Sequence, residues 1–102
     1  MVKKAMLITF SINSQKFESS YERNKFFRKL YGWKQIIAKE NKKYVYQREG
    51  LLHKVPHIKV DQSSFIVPEE ECEKVIKFFE EWADKVIWKN FKVLLEEDFE
   101  EV

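Results

Sequence analysis

SFIVPEEECEKVIKFFEEWADKVIWKNFKVLL, residues 64–95, carries the clearest structural punctuation in this chain. An apolar, β-branched run stops at Pro68, and three glutamates follow it. Proline is tolerated in the first turn of a helix because its missing N–H would have no partner there, and Glu69, Glu70 and Glu71 suit the positive end of the helix dipole. Cys72, Val75, Ile76, Phe79, Trp82, Ala83 and Val86 then recur on one helical stripe. Ile87 to Leu95 has strand character, so the stretch reads strand, helix, strand.

Moving toward the N-terminus, His57 to Val67 reads as a strand. Its Ile58 and Val60 alternate with His57, Lys59 and Asp61, and a bulge or shift of face is expected around Gln62-Ser63-Ser64. Glu49 to Pro56 is a connector. Lys34–Lys39 and Lys43–Arg48 flank a turn at Glu40-Asn41-Lys42 and form a hairpin with Tyr44 and Tyr46 on one face. Ser19, with Glu22 three residues later, signals a helix start. Phe26, Phe27, Leu30 and Tyr31 make its apolar stripe, and Gly32 is placed to end it. Ala5 to Ile12 alternates, with Met6, Ile8, Phe10 and Ile12 on the apolar face.

The resulting order predicts an α+β fold, a ferredoxin-like βαββαβ sandwich with an additional hairpin strand, built as one sheet with two helices on one face. A chain of 102 residues fits one domain, residues 1–102, because that length buries roughly two-thirds of its unfolded surface. Residues 96–102 read as an acidic C-terminal tail. Hydrophobic residues at 44% and aromatics at 16% supply a packed core and argue against disorder. Lys and Glu dominate the charged residues, a habit of thermophile proteins. One cysteine, no cleavable leader and no apolar run near the roughly 20 residues of a membrane span predict a cytoplasmic, non-membrane protein.

Charge is unevenly distributed. Residues 1–60 carry 14 Lys and Arg against 4 Asp and Glu, whereas residues 61–102 carry 5 against 13. Two readings are open: the halves pair with each other, in the fold or across a dimer, or the basic half is a face for a polyanion.

Three stretches resemble the small CRISPR-associated adaptation proteins, dimers of ferredoxin-like subunits, and their relatives among toxin-like and repressor C-terminal domains. Ile8 to Asn13 looks like the first strand of that family. Arg23-Asn24-Lys25-Phe26-Phe27-Arg28-Lys29-Leu30-Tyr31-Gly32 is similar to its basic helix ending in Tyr-Gly, and Gln62-Ser63-Ser64-Phe65-Ile66-Val67 looks like the strand before its second helix. The resemblance implies a homodimer. It also implies a metal-binding carboxylate at the end of strand one, but Thr9-Phe10-Ser11-Ile12-Asn13 contains none, so a hard cation such as Mg²⁺ lacks its anionic ligand. The insertion between Lys39 and Pro56 is a second departure.

Other chemistry is thinly represented. His53 and His57 are four apart, but Pro56 removes the helical geometry that would converge them on a metal. Cys72 lies on an apolar stripe and reads as core. Ser63 and Ser64 lack a glycine-rich elbow. No catalytic residue, metal or cofactor is therefore expected.

Arg23, Lys25, Arg28, Lys29, Lys34, Lys39, Lys42, Lys43 and Arg48 interleave with Tyr31, Trp33, Tyr44 and Tyr46. Cations of this kind neutralise phosphates, and exposed rings stack on bases. The leading expectation is a non-catalytic domain that binds DNA or RNA through its basic helix and hairpin. A module for an acidic protein partner is the alternative, and a metal-dependent phosphodiesterase a third.

Overall fold

The structure, a computed structural model, describes residues 2–96, 98 and 99. It is an α+β fold whose elements run β1 (Lys3–Ile12), α1 (Ser20–Tyr31), β2 (Trp33–Lys39), β3 (Lys42–Arg48), β4 (Ile58–Asp61), β5 (Ser64–Pro68), α2 (Cys72–Glu81) and β6 (Val86–Leu95). Short 3-10 turns at Ser14–Lys16, Leu51–His53 and Glu69–Glu71 join them. The main sheet is antiparallel in the order β4-β5-β1-β6, and β2 and β3 form a second, two-stranded sheet.

The alternation of β1 sets this arrangement. Met6, Ile8 and Phe10 are buried and meet Phe26 and Leu30 of α1 and Val75 and Phe79 of α2 in one core. Phe10, with its ring centroid 5.7 Å from Phe26 and 5.3 Å from Phe79, joins both helices to the sheet. Burying each such side chain contributes about 1.5–3 kcal/mol, so the apolar stripes, more than helix propensity, hold α1 and α2 in place.

The helix boundaries follow local chemistry. Ser19 caps α1, its Oγ accepting from the Glu22 N–H at 3.2 Å, and Gly32 ends it with φ at 75°. At the other helix, Pro68 precedes the turn Glu69–Glu71, and α2 continues from it. α2 stops at Glu81, so Val86, expected on the helical stripe, is buried from β6 instead.

Two sequence expectations are corrected. Residues 57–67 hold two strands, β4 and β5, folded back on each other with Ile58 opposite Ile66 and Lys59 opposite Phe65. The turn is made by Asp61, whose Oδ1 accepts from the Ser63 N–H at 2.7 Å, a side-chain mimic of a backbone turn that needs no glycine. The other correction concerns the hairpin, which does not extend the main sheet. Among the described residues β2 and β3 pair only with each other, from Trp33 opposite Arg48 to Lys39 opposite Lys42. The turn is Glu40-Asn41 alone, both at positive φ (51° and 64°), the two-residue geometry that matches strand twist.

On the sheet face away from the helices, register aligns Ile58, Ile66, Leu7 and Phe91 in one row across all four strands. Of the expected acidic tail, Glu96, Asp98 and Phe99 are described, and Asp98 pairs with Lys3 at 2.6 Å. Glu97, Glu100, Glu101 and Val102 lie outside the described residues. Among the described residues no helix is long and apolar enough to cross a membrane.

Candidate nucleic-acid interface

At about 100° per residue, the 4-, 3- and 1-residue steps from Tyr21 through Lys25 and Arg28 to Lys29 place all four side chains on one side of α1. The opposite side buries Phe26 and Leu30. A cavity of about 230 Å³ is lined by these four residues together with Trp33 and Glu49, where the hairpin joins the helix. The Arg28 guanidinium lies 4.1 Å from the centroid of the Trp33 ring. That contact carries the cationic face of α1 onto the hairpin, since cation and ring attract through the ring quadrupole.

Strand alternation then divides the hairpin. Trp33, Gln35, Ile37 and Lys39 share a face with Arg48, Tyr46, Tyr44 and Lys42, while Lys34, Ile36 and Ala38 share the other with Gln47, Val45 and Lys43. Tyr44 and Tyr46 are 43% and 45% exposed, so their rings remain open to a ligand. Arg48 sits 5.4 Å from the Tyr46 ring centroid, and its Nε donates to Gln35 Oε1 at 2.7 Å. Gln47 Nε2 donates to the carbonyls of Trp33 and Arg48.

The structure therefore gathers Lys25, Arg28 and Lys29 in the groove and Lys42, Tyr44, Tyr46 and Arg48 along the face that continues from it. Lys34 and Lys43 lie on the reverse face of the hairpin, and Arg23 lies about 200° round the helix from Lys25, away from the groove. Tyr31 belongs to the body. Its hydroxyl donates to the Gln62 carbonyl at 2.6 Å, and burial, with the Asp61 charge nearby, pushes its pKa up to about 12. Trp33, named with the basic set, starts β2 and so shares the aromatic side. Tyr21, 73% exposed, and Glu49 also line the groove, and neither has a signal in the sequence pattern.

Glu49 borders the groove, but the cations of the surface outnumber it and form no direct ion pair among the described residues. Ion pairs among the described residues join Lys3 to Asp98, Lys74 to Glu71, Lys77 to Glu73 and Lys85 to Glu22. None involves a cation of the groove or the hairpin. At the hairpin tip Lys39 and Lys42 stand directly opposite each other, an arrangement that costs stability in the absence of an anion.

The remaining candidates have structural partners. Asn13 Oδ1 accepts from the Gln15 N–H and caps the turn after β1. His53 Nδ1 accepts from the Gly50 N–H at 3.0 Å, and His57 Nδ1 lies 2.9 Å from the Val55 carbonyl. Cys72 is buried, which pushes its thiol pKa up and away from nucleophilic chemistry. Among the described residues no three His, Cys, Asp or Glu side chains gather as a metal site. Comparison of the chain with protein-family models, curated proteins and solved structures returns no match.

Proposed function

We propose that this chain is a non-catalytic nucleic-acid-binding domain of ferredoxin-like topology, working in the cytoplasm and contacting phosphates through α1 and the β2-β3 hairpin. The topological part is supported by the order β4-β5-β1-β6, with α1 and α2 as crossovers and the hairpin inserted between α1 and β4. The functional part rests on one observation, the cationic and aromatic surface whose cations form no ion pair among the described residues, although Glu49 borders the groove. Among the described residues the acidic half pairs with none of those cations within the chain. A polyanion would relieve the repulsion at the tip and release its own counterions.

The test is a titration of labelled mixed-sequence nucleic acid at about 50 and 200 mM salt, the range over which phosphate contacts lose strength. Saturable binding that weakens steeply with salt is expected, with a smaller slope when Arg28, Lys29, Lys39 and Lys42 are replaced by Ala. Absence of binding at the lower salt overturns the reading and favours an acidic protein partner.

The sheet face away from the helices favours a second property, assembly into a homodimer. Phe91 and Ile87 on it are 50% and 64% exposed, beside the apolar row through Leu7, Ile66 and Ile58. A self-complementary face of this kind suits a twofold pair. Sedimentation should then show a dimer that Phe91→Glu converts to monomer; a monomeric parent chain would rule the pairing out.

A further inference from the structure

We infer that the hairpin takes unpaired, single-stranded nucleic acid, stacking its bases on Tyr44 and Tyr46 while its phosphates follow Lys39, Lys42 and the cations of the α1 groove. The inference rests on the nucleic-acid reading above and narrows it.

A two-stranded ribbon can enter the major groove of duplex DNA, but there it reads base edges with side-chain donors and acceptors, most effectively those of Gln, Asn and Arg. The ribbon has Gln35, Gln47 and Arg48 on its strands and Asn41 at its tip, and the three on the strands are partly engaged within it: Arg48 Nε donates to Gln35 Oε1, and Gln47 Nε2 to two backbone carbonyls. What dominates the side facing the groove is of another kind, two exposed phenol rings, Ile37 and the lysines of the tip.

Rings need base faces, and a duplex hides these within its stack. Tyr44 and Tyr46 are two residues apart on one strand, a repeat of about 6.8 Å. That is close to twice the spacing of about 3.4 Å between successive bases, so a base fits between the two positions. The cations continue from the tip to the far side of Trp33, so a strand threaded over the rings stays in reach of positive charge along its length. Stacking on rings flanked by cations tolerates any base, so little sequence preference should follow.

Labelled oligothymidylate, oligouridylate and a mixed-sequence DNA duplex, each about 16 nucleotides long, decide the matter at about 50 mM salt. Single strands should bind at least about tenfold more tightly than duplex, and Tyr44→Ala or Tyr46→Ala should each weaken single-strand binding by about 5- to 150-fold. Duplex binding should be unchanged by either substitution, and Tyr44→Phe and Tyr46→Phe should bind as the parent does. Both tyrosines are exposed, so circular dichroism should show the variants folded. Equal or tighter duplex binding, or neutral Ala variants, overturns the stacking inference. If Lys25, Arg28 and Lys29 to Ala still flatten the salt dependence in that case, the phosphate-binding reading survives. Binding to none of the three probes overturns both.

Discussion

Gly32 and Gly50 are the two glycines of the chain, and folding brings them against each other at the foot of the hairpin. A side chain at Gly50 would strike the backbone of Gly32 and Leu30; one at Gly32 would strike the Arg48 carbonyl and the ring of His53. Gly32 also holds φ at 75° with ψ at −178°, a region essentially reserved for glycine, where another residue costs on the order of 1–3 kcal/mol before any clash. Gly32→Ala should therefore lower unfolding free energy in urea by about 2 kcal/mol or more, with a small effect ruling out this close approach. Tyr31 allows a second test nearby. With its pKa pushed up to about 12 from the usual 10, its protonated form stabilises the fold below pH 10, and that contribution is lost as pH rises through about 12. An ultraviolet titration should show one late-ionising phenol, absent in Tyr31→Phe. The same variant should lose about 0.5–1.5 kcal/mol with the Gln62 hydrogen bond.

Between elements, the contact that seats the start of α1 is the Glu22–Lys85 pair, joining the helix to the segment before β6, with both side chains about one-fifth exposed. The Lys85 ammonium, helped by the Glu18 N–H, holds the Glu22 carboxyl below its usual pKa, and Glu22 in turn raises that of Lys85. For the depressed carboxyl, stability is present above its unfolded pKa and lost as pH falls through the folded one. For the raised amine, it is present below the unfolded pKa and lost as pH rises through the folded one. The stability gap between parent and Glu22→Gln should therefore be flat through neutral pH and close at both extremes; a gap that persists in acid would show that the pair contributes nothing through its charge. Part of this architecture is legible in the sequence. Ser19 and Gly32 bracket α1 because capping is local chemistry, and the alternation of Tyr44 and Tyr46 exposes the hairpin. The β4-β5 turn reads as a bulge because Asp61 turns the chain with its side chain, without Gly or Pro to mark it. Where β2 and β3 leave the body, Gly32 and Gly50, 18 residues apart, come into contact, an approach that no local pattern encodes. Composition groups Arg23 with Lys25, though helix geometry separates them.

At the scale of the whole molecule, the chain divides into a body that carries the core and a hairpin that carries charge. Among the described residues every fully buried large side chain, Phe26, Phe65, Phe79 and Ile8 included, belongs to the body, whereas Ile36, Ile37, Tyr44, Val45 and Tyr46 of the hairpin are all exposed. Among the described residues the hairpin pairs with no other strand, and its two ends meet at the glycine contact. An isolated two-stranded hairpin is at best marginally stable in water, so this one depends on the body for its anchor, through Arg28 on Trp33 and His53 on Gly50. The body has no reciprocal need, because its four strands and two helices close their core without residues 33–48. Replacing residues 33–49 by a short Gly-Ser linker should therefore leave a cooperatively unfolding protein with its helical circular dichroism intact. If the cationic surface is the binding surface, the same excision removes Trp33, Lys39, Lys42, Tyr44, Tyr46 and Arg48 and leaves only Lys25, Arg28 and Lys29 of the groove. Affinity for nucleic acid should then fall by at least about tenfold, and the salt slope should shrink by roughly 0.7 to 0.9 for each phosphate that the shortened protein no longer neutralises. A folded body that binds as tightly as the parent would move the site off the hairpin, and an unfolded one would show that the hairpin stabilises the body although none of its side chains enters the core.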